Sequence, residues 1–303
     1  MRYRPFGRSG VAISAVTLRL GDAAMQRGPA GARELIYAAL ENGVNTFQLA
    51  SADSVLAELA GEALETVDRK LVSVSLCLGQ DRDRRGGRDF SAEGLQGAID
   101  LALRVSGLEW IDLVLLDNPG GDELAQTSLN ALKNLRSAGR IRLLGIAGEG
   151  EVMDAYVSTN AFDVLATPFH ANSPWDVRHR IRAAIERDMA VMAYGYFPDE
   201  LTSVRNIQQL DAAPKKGLFN WGSKSKNESP LADAGTFQFL HRTPNWSAEQ
   251  ICLAFALTDP MISTVMVDAD DTEHFIGLTD VPERDLPPGL SAQIEMARVR
   301  QAA

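Results

Sequence analysis

Cysteine and histidine are scarce in this chain, and no stretch stays apolar for long. The two cysteines, Cys77 and Cys252, lie far apart and suggest no disulfide framework. The four histidines, His170, His179, His241 and His274, fall at no metal-ligand spacing, so no metal is expected. No apolar run approaches the ~18 residues a membrane span needs. The opening Met1-Arg2-Tyr3-Arg4-Pro5-Phe6-Gly7 lacks the apolar core of a signal peptide. The expectation is a soluble, cytoplasmic protein with no membrane partner. Basic residues are outnumbered: 30 Lys and Arg face 40 Asp and Glu, a net charge of −10. A general phosphate-backbone binder needs the opposite balance, because Lys and Arg must displace counterions. The short basic runs, Lys215-Lys216 and the arginines of 82–88, read as solvated faces. No nucleic-acid partner is expected.

What is present is a hydrophobic content of 45% in 303 residues, enough for one large core. The reading is a single domain over 1–303, with a hairpin in 1–15 around Gly7-Arg8-Ser9-Gly10 and a helix closing 288–303. Between them, short apolar runs alternate with segments of helical spacing. Val16–Gly21 precedes a helix ending at the Gly43 stop, in which Leu35, Ile36, Ala39 and Leu40 share a face. Strand Thr46–Ala50 precedes helix Val55–Thr66, and strand Leu71–Leu78 precedes helix Ala92–Val105, capped by Ser91. Strand Ile111–Asp117 leads to helix Asp122–Ser137, and Leu143–Ala147 to Val152–Thr159. Strand Val164–Phe169 leads to helix Asp176–Arg187, for which Ser173-Pro174 is a start signal. Strand Ala190–Phe197, a long polar stretch, helix Ala248–Thr258 capped by Ser247, and strand Ile262–Val267 complete the alternation, with one more helical turn near Asp271.

Strands that are continuously apolar are buried on both faces, as in parallel sheets. Eight such units close into a (β/α)8 TIM barrel of the α/β class. An open doubly wound sheet is the rival, but no Gly-rich fingerprint follows the first strand. Two polar segments follow strands, at 80–90 and 211–236, and in a barrel such loops lie on the face that holds the active site.

The ordered motifs resemble the aldo-keto reductase family. Those that carry the resemblance are the opening Met1–Gly10, the run Ala38–Phe47, Trp110-Ile111-Asp112-Leu113-Val114, Gly139–Ile146, Phe162-Asp163-Val164-Leu165, and Trp246–Leu257. The resemblance implies an N-terminal hairpin, a barrel, and hydride transfer between NADP(H) and a carbonyl or alcohol. That reaction uses a Tyr as proton donor, its pKa lowered by a Lys that pairs with an Asp, and a His beside the oxyanion. Such types suit it because a phenol must donate a proton near neutral pH while staying oriented. Carried over by motif, the Asp place is Gln48, the Tyr place Asp53, the Lys place Cys77 and the His place Asp117. A loop shift does not rescue the set: no Tyr stands between Tyr37 and Trp110, and the one Lys there is Lys70. The nicotinamide-amide positions read Ala147, Gly148 and Ala166, while Tyr194 keeps the aromatic platform. The adenosine-phosphate run reads Val267-Asp268-Ala269-Asp270-Asp271-Thr272-Glu273-His274, with Leu278 in place of a later Asn. A phosphate there meets repulsion.

Three readings stay open at this point. The first is a non-catalytic binding, partner or regulatory subunit with a protein partner or small-molecule ligand and no cofactor. The second is a cofactor-independent acid–base enzyme on a sugar or hydroxy acid. It would use Asp53, Asp117 and Cys77, with Gln48, Glu149 and His170 on the same rim. The third is a drifted reductase that still takes NADP(H). The bland alternatives are a core cysteine at 77, a helix cap at Asp53, a turn residue at Asp117 and a loop histidine at His170.

Overall fold

The computed structural model describes residues 1–81, 87–206 and 237–302. Residues Arg82, Arg84 and Arg85, and the lysine-bearing part of 211–236, lie outside them.

The hairpin is present: β1 (Tyr3–Pro5) pairs antiparallel with β2 (Ala12–Ser14). Phe6 and Ile13 turn inward from it and are buried with Leu113, Val164, Ala190 and Met192, so the hairpin plugs the foot of the barrel. Gly7, at φ +54, backs onto the start of a barrel strand, where an added Cβ would stand 3.1 Å from the Ala190 nitrogen. Only a residue without a side chain fits both demands.

The barrel begins with β3 (Val16–Leu20), followed by α1 (Gly28–Glu41), β4 (Thr46–Leu49) and α2 (Ser54–Leu64). After β5 (Ser73–Leu78), the chain makes a small outer hairpin, β6 (Gln80–Asp81) with β7 (Gly87–Arg88), and then α3 (Ala92–Ser106). The alternation continues with β8 (Ile111–Asp117), α4 (Gln126–Ser137), β9 (Ile141–Ala147), α5 (Glu151–Ser158), β10 (Val164–Pro168), α6 (Trp175–Ile185) and β11 (Ala190–Tyr194). Helix α7 (Ala248–Thr258), β12 (Thr264–Val267), α8 (Thr272–Thr279) and α9 (Leu290–Ala302) finish the chain. Strands β3, β4, β5, β8, β9, β10, β11 and β12 pair in that order, all parallel, and β12 pairs back with β3. The result is a closed (β/α)8 barrel, as the alternating pattern predicts.

Strand alternation sorts side chains into two shells. Leu18, Phe47, Leu49, Val74, Leu76 and Val114 pack outward among the helices. Leu113, Leu115, Ala166, Met192 and Met266 fill the interior. At the foot, Asp112 of β8 accepts from Arg69 Nη2 (2.5 Å), the Val74 amide of β5 (2.9 Å), Trp110 Nε1 (2.8 Å) and Arg142 Nη1 of β9 (3.2 Å), and so ties β5, β8 and β9 together. No helix among the described residues is long and apolar enough to cross a membrane.

Several boundaries differ from expectation by one to four residues. Helix α4 starts at Gln126 rather than Asp122, because Glu123 is spent on a turn: its Oε2 accepts from the Gly120 amide at 2.7 Å and from Arg88 Nε at 3.1 Å. Strand β11 stops at Tyr194 rather than Phe197, because Gly195 takes φ +59 and turns the chain. The expected charged loop 80–90 contains the β6–β7 pairing.

Candidate functional site at the barrel mouth

Each strand delivers one inward side chain at its C-terminal end, and those side chains define the mouth. On β4, Phe47 and Leu49 belong to the outer shell, so Gln48 between them faces in. Its neighbours in the sheet are Arg19 of β3 and Ser75 of β5. Cys77 and Tyr194 pack against the interior cluster, and Asp117 follows Leu113 and Leu115 in the inward phase of β8.

These groups act on one another. Burial, then the neighbouring Asp117 carboxylate, pushes the Cys77 thiol up to about 12, so it is protonated at neutral pH. Burial also raises the Tyr194 phenol, with Asp117, Glu149 and Cys77 adding to the shift and Arg180 opposing it. Gln48 is 3% exposed, and its Oε1 has no hydrogen-bond partner among the described residues. A buried acceptor left unmatched carries a desolvation cost.

The other expected residues sit in local structure. Asp53 is the N-cap of α2: its Oδ1 accepts from the amides of Val55 (2.6 Å) and Leu56 (3.3 Å). His170 closes a turn in which its Nδ1 accepts from the Asn172 amide (3.2 Å), while the Ser173 hydroxyl accepts its own amide (2.8 Å). Burial lowers the His170 pKa, which suits a ring nitrogen used as an acceptor. The structure therefore groups Gln48, Cys77, Asp117 and Tyr194 at the mouth, and assigns Asp53 and His170 to backbone turns.

Arg19 went unread in the sequence. It interrupts the apolar run Val16–Leu20 at an inward position, which was its signal, and its Nη1 meets Asp268 Oδ1 at 3.0 Å. Arg88 also reaches the rim, where its Nη2 donates to the carbonyls of Asp117 (2.8 Å) and Asn118 (2.6 Å).

A matching family model places the fold in a known lineage: "Aldo/keto reductase family" aligns over residues 17–296. The chain belongs to the aldo-keto reductase family. An aldo-keto reductase from Bacillus halodurans, AKR11C1 in its holo form, superposes with a TM-score of 0.76 at 18% identity, covering 97% of this chain and 95% of its own. PA4992 of Pseudomonas aeruginosa, assigned to the aldo-keto reductases, gives a TM-score of 0.66 at 17% identity, with 92% and 94% covered. At these identities the likeness carries the fold alone.

Whether an aldo-keto reductase with these residues suits a dinucleotide phosphate is a matter of donors and charge. The positions that the resemblance assigns to the nicotinamide amide bring no polar side chain. Ala166 is buried, its carbonyl accepts the Gly148 amide at 2.9 Å, and an added Cβ at Gly148 would stand 2.5 Å from Asn118 Oδ1. Beside the run that the resemblance assigns to the adenosine phosphate, a cavity of about 350 Å³ is lined by Glu249, Gln250, Asp271, Glu273 and His274. The first turn of α8 is already capped by a carboxylate, since Asp271 Oδ1 accepts the His274 amide at 2.8 Å. Arg27 lies against Asp271 (3.3 Å), and His274 Nε2 against Glu249 Oε2 (2.8 Å). A helix start that attracts anions has its own carboxylates here.

Proposed function

We propose that this aldo-keto reductase does not carry out the family's hydride transfer and serves as a ligand-binding or partner subunit built on the barrel. One observation carries the reading. The place the resemblance gives to the proton-donating Tyr is Asp53, and the described phenol of the mouth, Tyr194, in the platform position, is held above its ordinary pKa by burial and then by carboxylates. Proton donation to a carbonyl needs the reverse, a phenol lowered by a nearby cation. A neutral thiol, Cys77, stands where the resemblance implies the lowering amine, and no lysine is found at the described mouth.

The chain's own residues still bind and exclude. Arg19 and Asp268 close one side of the mouth as an ion pair. Arg88 ties the outer hairpin to the end of β8. The test is a titration of the full chain with NADPH, following nicotinamide fluorescence and, with an added aldehyde, loss of nicotinamide absorbance. No saturable binding in the micromolar range and no turnover are expected. Saturable micromolar binding with turnover would return the chain to the reductases.

A further inference from the structure

Exposed apolar side chains gather on one side of the helix ring. Of the large ones exposed among the described residues, Val152 lies on α5, Trp175 and Ile185 on α6, and Met296 and Val299 on α9. The three helices are neighbours: Arg180 of α6 reaches Asp154 of α5 at 2.6 Å, and Arg178 of α6 reaches Glu295 of α9 at 3.1 Å. Two residues apart on a helix, these arginines leave α6 on opposite sides, so α6 lies between α5 and α9. Trp175, at the head of α6, is 65% exposed.

Helix α9 is apolar on two opposite sides. Leu290, Ile294 and Ala297 are buried, while Ala292, Met296 and Val299 are exposed, and helical spacing sets the two groups about half a turn apart. A helix that is apolar all round is normally covered all round. Helix α5 offers a hollow in place of a ridge. It holds about 310 Å³, and Gly121, Val152, Ala155, Tyr156 and Thr159 line it almost wholly with carbon beside Glu151.

Charge divides this face in the same way. Helices α6 and α9 carry five arginines against two carboxylates, in a chain whose net charge is −10. Arg178, Arg180 and Arg298 are held by Glu295 and Asp154, which leaves Arg182 and Arg300 exposed and outside any ion pair among the described residues. The hollow is acidic. Asp122 and Glu151 are exposed there and likewise unpaired among the described residues, and burial, then Glu123 and Asp122, raises the Tyr156 phenol. One half of the face presents apolar knobs beside spare cations, and the other an apolar hollow beside spare carboxylates. A patch whose halves complement each other across its midline matches a second copy of itself under a two-fold rotation.

We infer that α5, α6 and α9 form a two-fold interface between two copies of this chain, with Met296 and Val299 of each seated in the α5 hollow of the other and Trp175 near the axis. The face lies on the outer wall of the barrel, so this pairing is independent of whether the mouth takes a cofactor.

The test is the mass of the full chain in solution, by light scattering and sedimentation over a range of concentrations. A species of twice 32.8 kDa, growing with concentration, is expected. Trp175→Ala should raise its dissociation constant about thirtyfold, as loss of a central aromatic does. Leu71→Ala removes an apolar side chain as exposed (66%) but outside this face, and should change nothing. Two charge variants, Asp122→Arg with Glu151→Arg and Arg182→Glu with Arg300→Glu, should each be monomeric, because like charges then meet across the interface. Mixed in equal amounts, they should pair again, since each supplies the charge the other has lost. Every altered side chain is exposed, so all variants should keep the parent's circular dichroism. A chain that stays at 32.8 kDa at every concentration would overturn the inference and leave the face to a different protein or a small apolar ligand. A dimer indifferent to Trp175→Ala, or charge variants that fail to rescue one another, would overturn it too.

Discussion

Cys77 shows how one position sets the chemistry of its surroundings. A lysine at such a place would add a cation to the mouth and lower a neighbouring phenol. The thiol adds none, and its own proton is held by burial and by Asp117 up to about 12. The consequence is measurable. In the folded protein at pH 8, Cys77 should resist alkylation, and so should Cys252, which burial and Glu249 also raise. Denaturant should expose both at once, giving two alkylated sites by intact mass. Rapid modification of one cysteine in the native protein would show a thiolate that this electrostatic account does not allow. Reading the sequence located Gln48, Cys77 and Asp117 on one rim, because strand ends in a parallel barrel share a face. It could not see that Asp53 turns back to cap α2 or that His170 folds into its own loop. Those outcomes depend on backbone amides a few residues on, and a functional carboxylate and a capping one look alike in a string of letters. Arg19 was missed for the opposite reason: one charge in an apolar run is easily read as noise.

Helices were legible where capping chemistry is local. Ser91 caps α3 through the Gly94 amide at 3.0 Å, and Ser247 with Gln250 forms a reciprocal capping box at α7. The start of α4 was not legible, since Glu123 reads as a good first-turn residue and is instead held by Arg88 and Gly120. Packing between helices was also hidden. Helices α2 and α3 approach so closely that a Cβ at Gly61 would stand 2.0 Å from the Ser106 carbonyl oxygen. A helix interior favours Ala over Gly by about 1 kcal/mol, but backbone cannot yield to a 2.0 Å contact. Gly61→Ala should therefore destabilise by roughly 1–3 kcal/mol. Gly97, on α3 with nothing within 4 Å, is the control. Gly97→Ala should stabilise by about 0.5–1 kcal/mol. Urea unfolding of the two variants reads both signs, and a stabilising Gly61→Ala would show that the two helices can slide apart.

The barrel as a whole was legible because its hydrophobic period repeats along the chain, while the acidic balance concealed where charge is concentrated. Three distant segments meet at Glu249. Its Oε1 accepts from Tyr196 Oη at 2.7 Å after β11, and its Oε2 meets His274 Nε2 of α8 at 2.8 Å. Asp270 lies 3.7 Å from the other imidazole nitrogen, and Asp271 caps the same helix. The hydrogen bond to Glu249, and then the surrounding carboxylates, raise the His274 pKa above its ordinary 6.5 against the opposing effect of burial. The folded protein thus keeps this proton over a range where the unfolded chain has released it. The stabilisation is complete below the unfolded value of 6.5 and fades as pH rises through the folded value. His274→Gln removes the charge and keeps a donor. Its melting temperature should fall furthest below the parent's at about pH 6 and approach the parent's as pH rises through the folded value and the parent imidazole loses its proton. A deficit constant across that range would mean that the imidazole holds α7 to α8 through shape and a neutral hydrogen bond alone. In that case, the acidic cavity beside it would owe nothing to the titration of its one histidine.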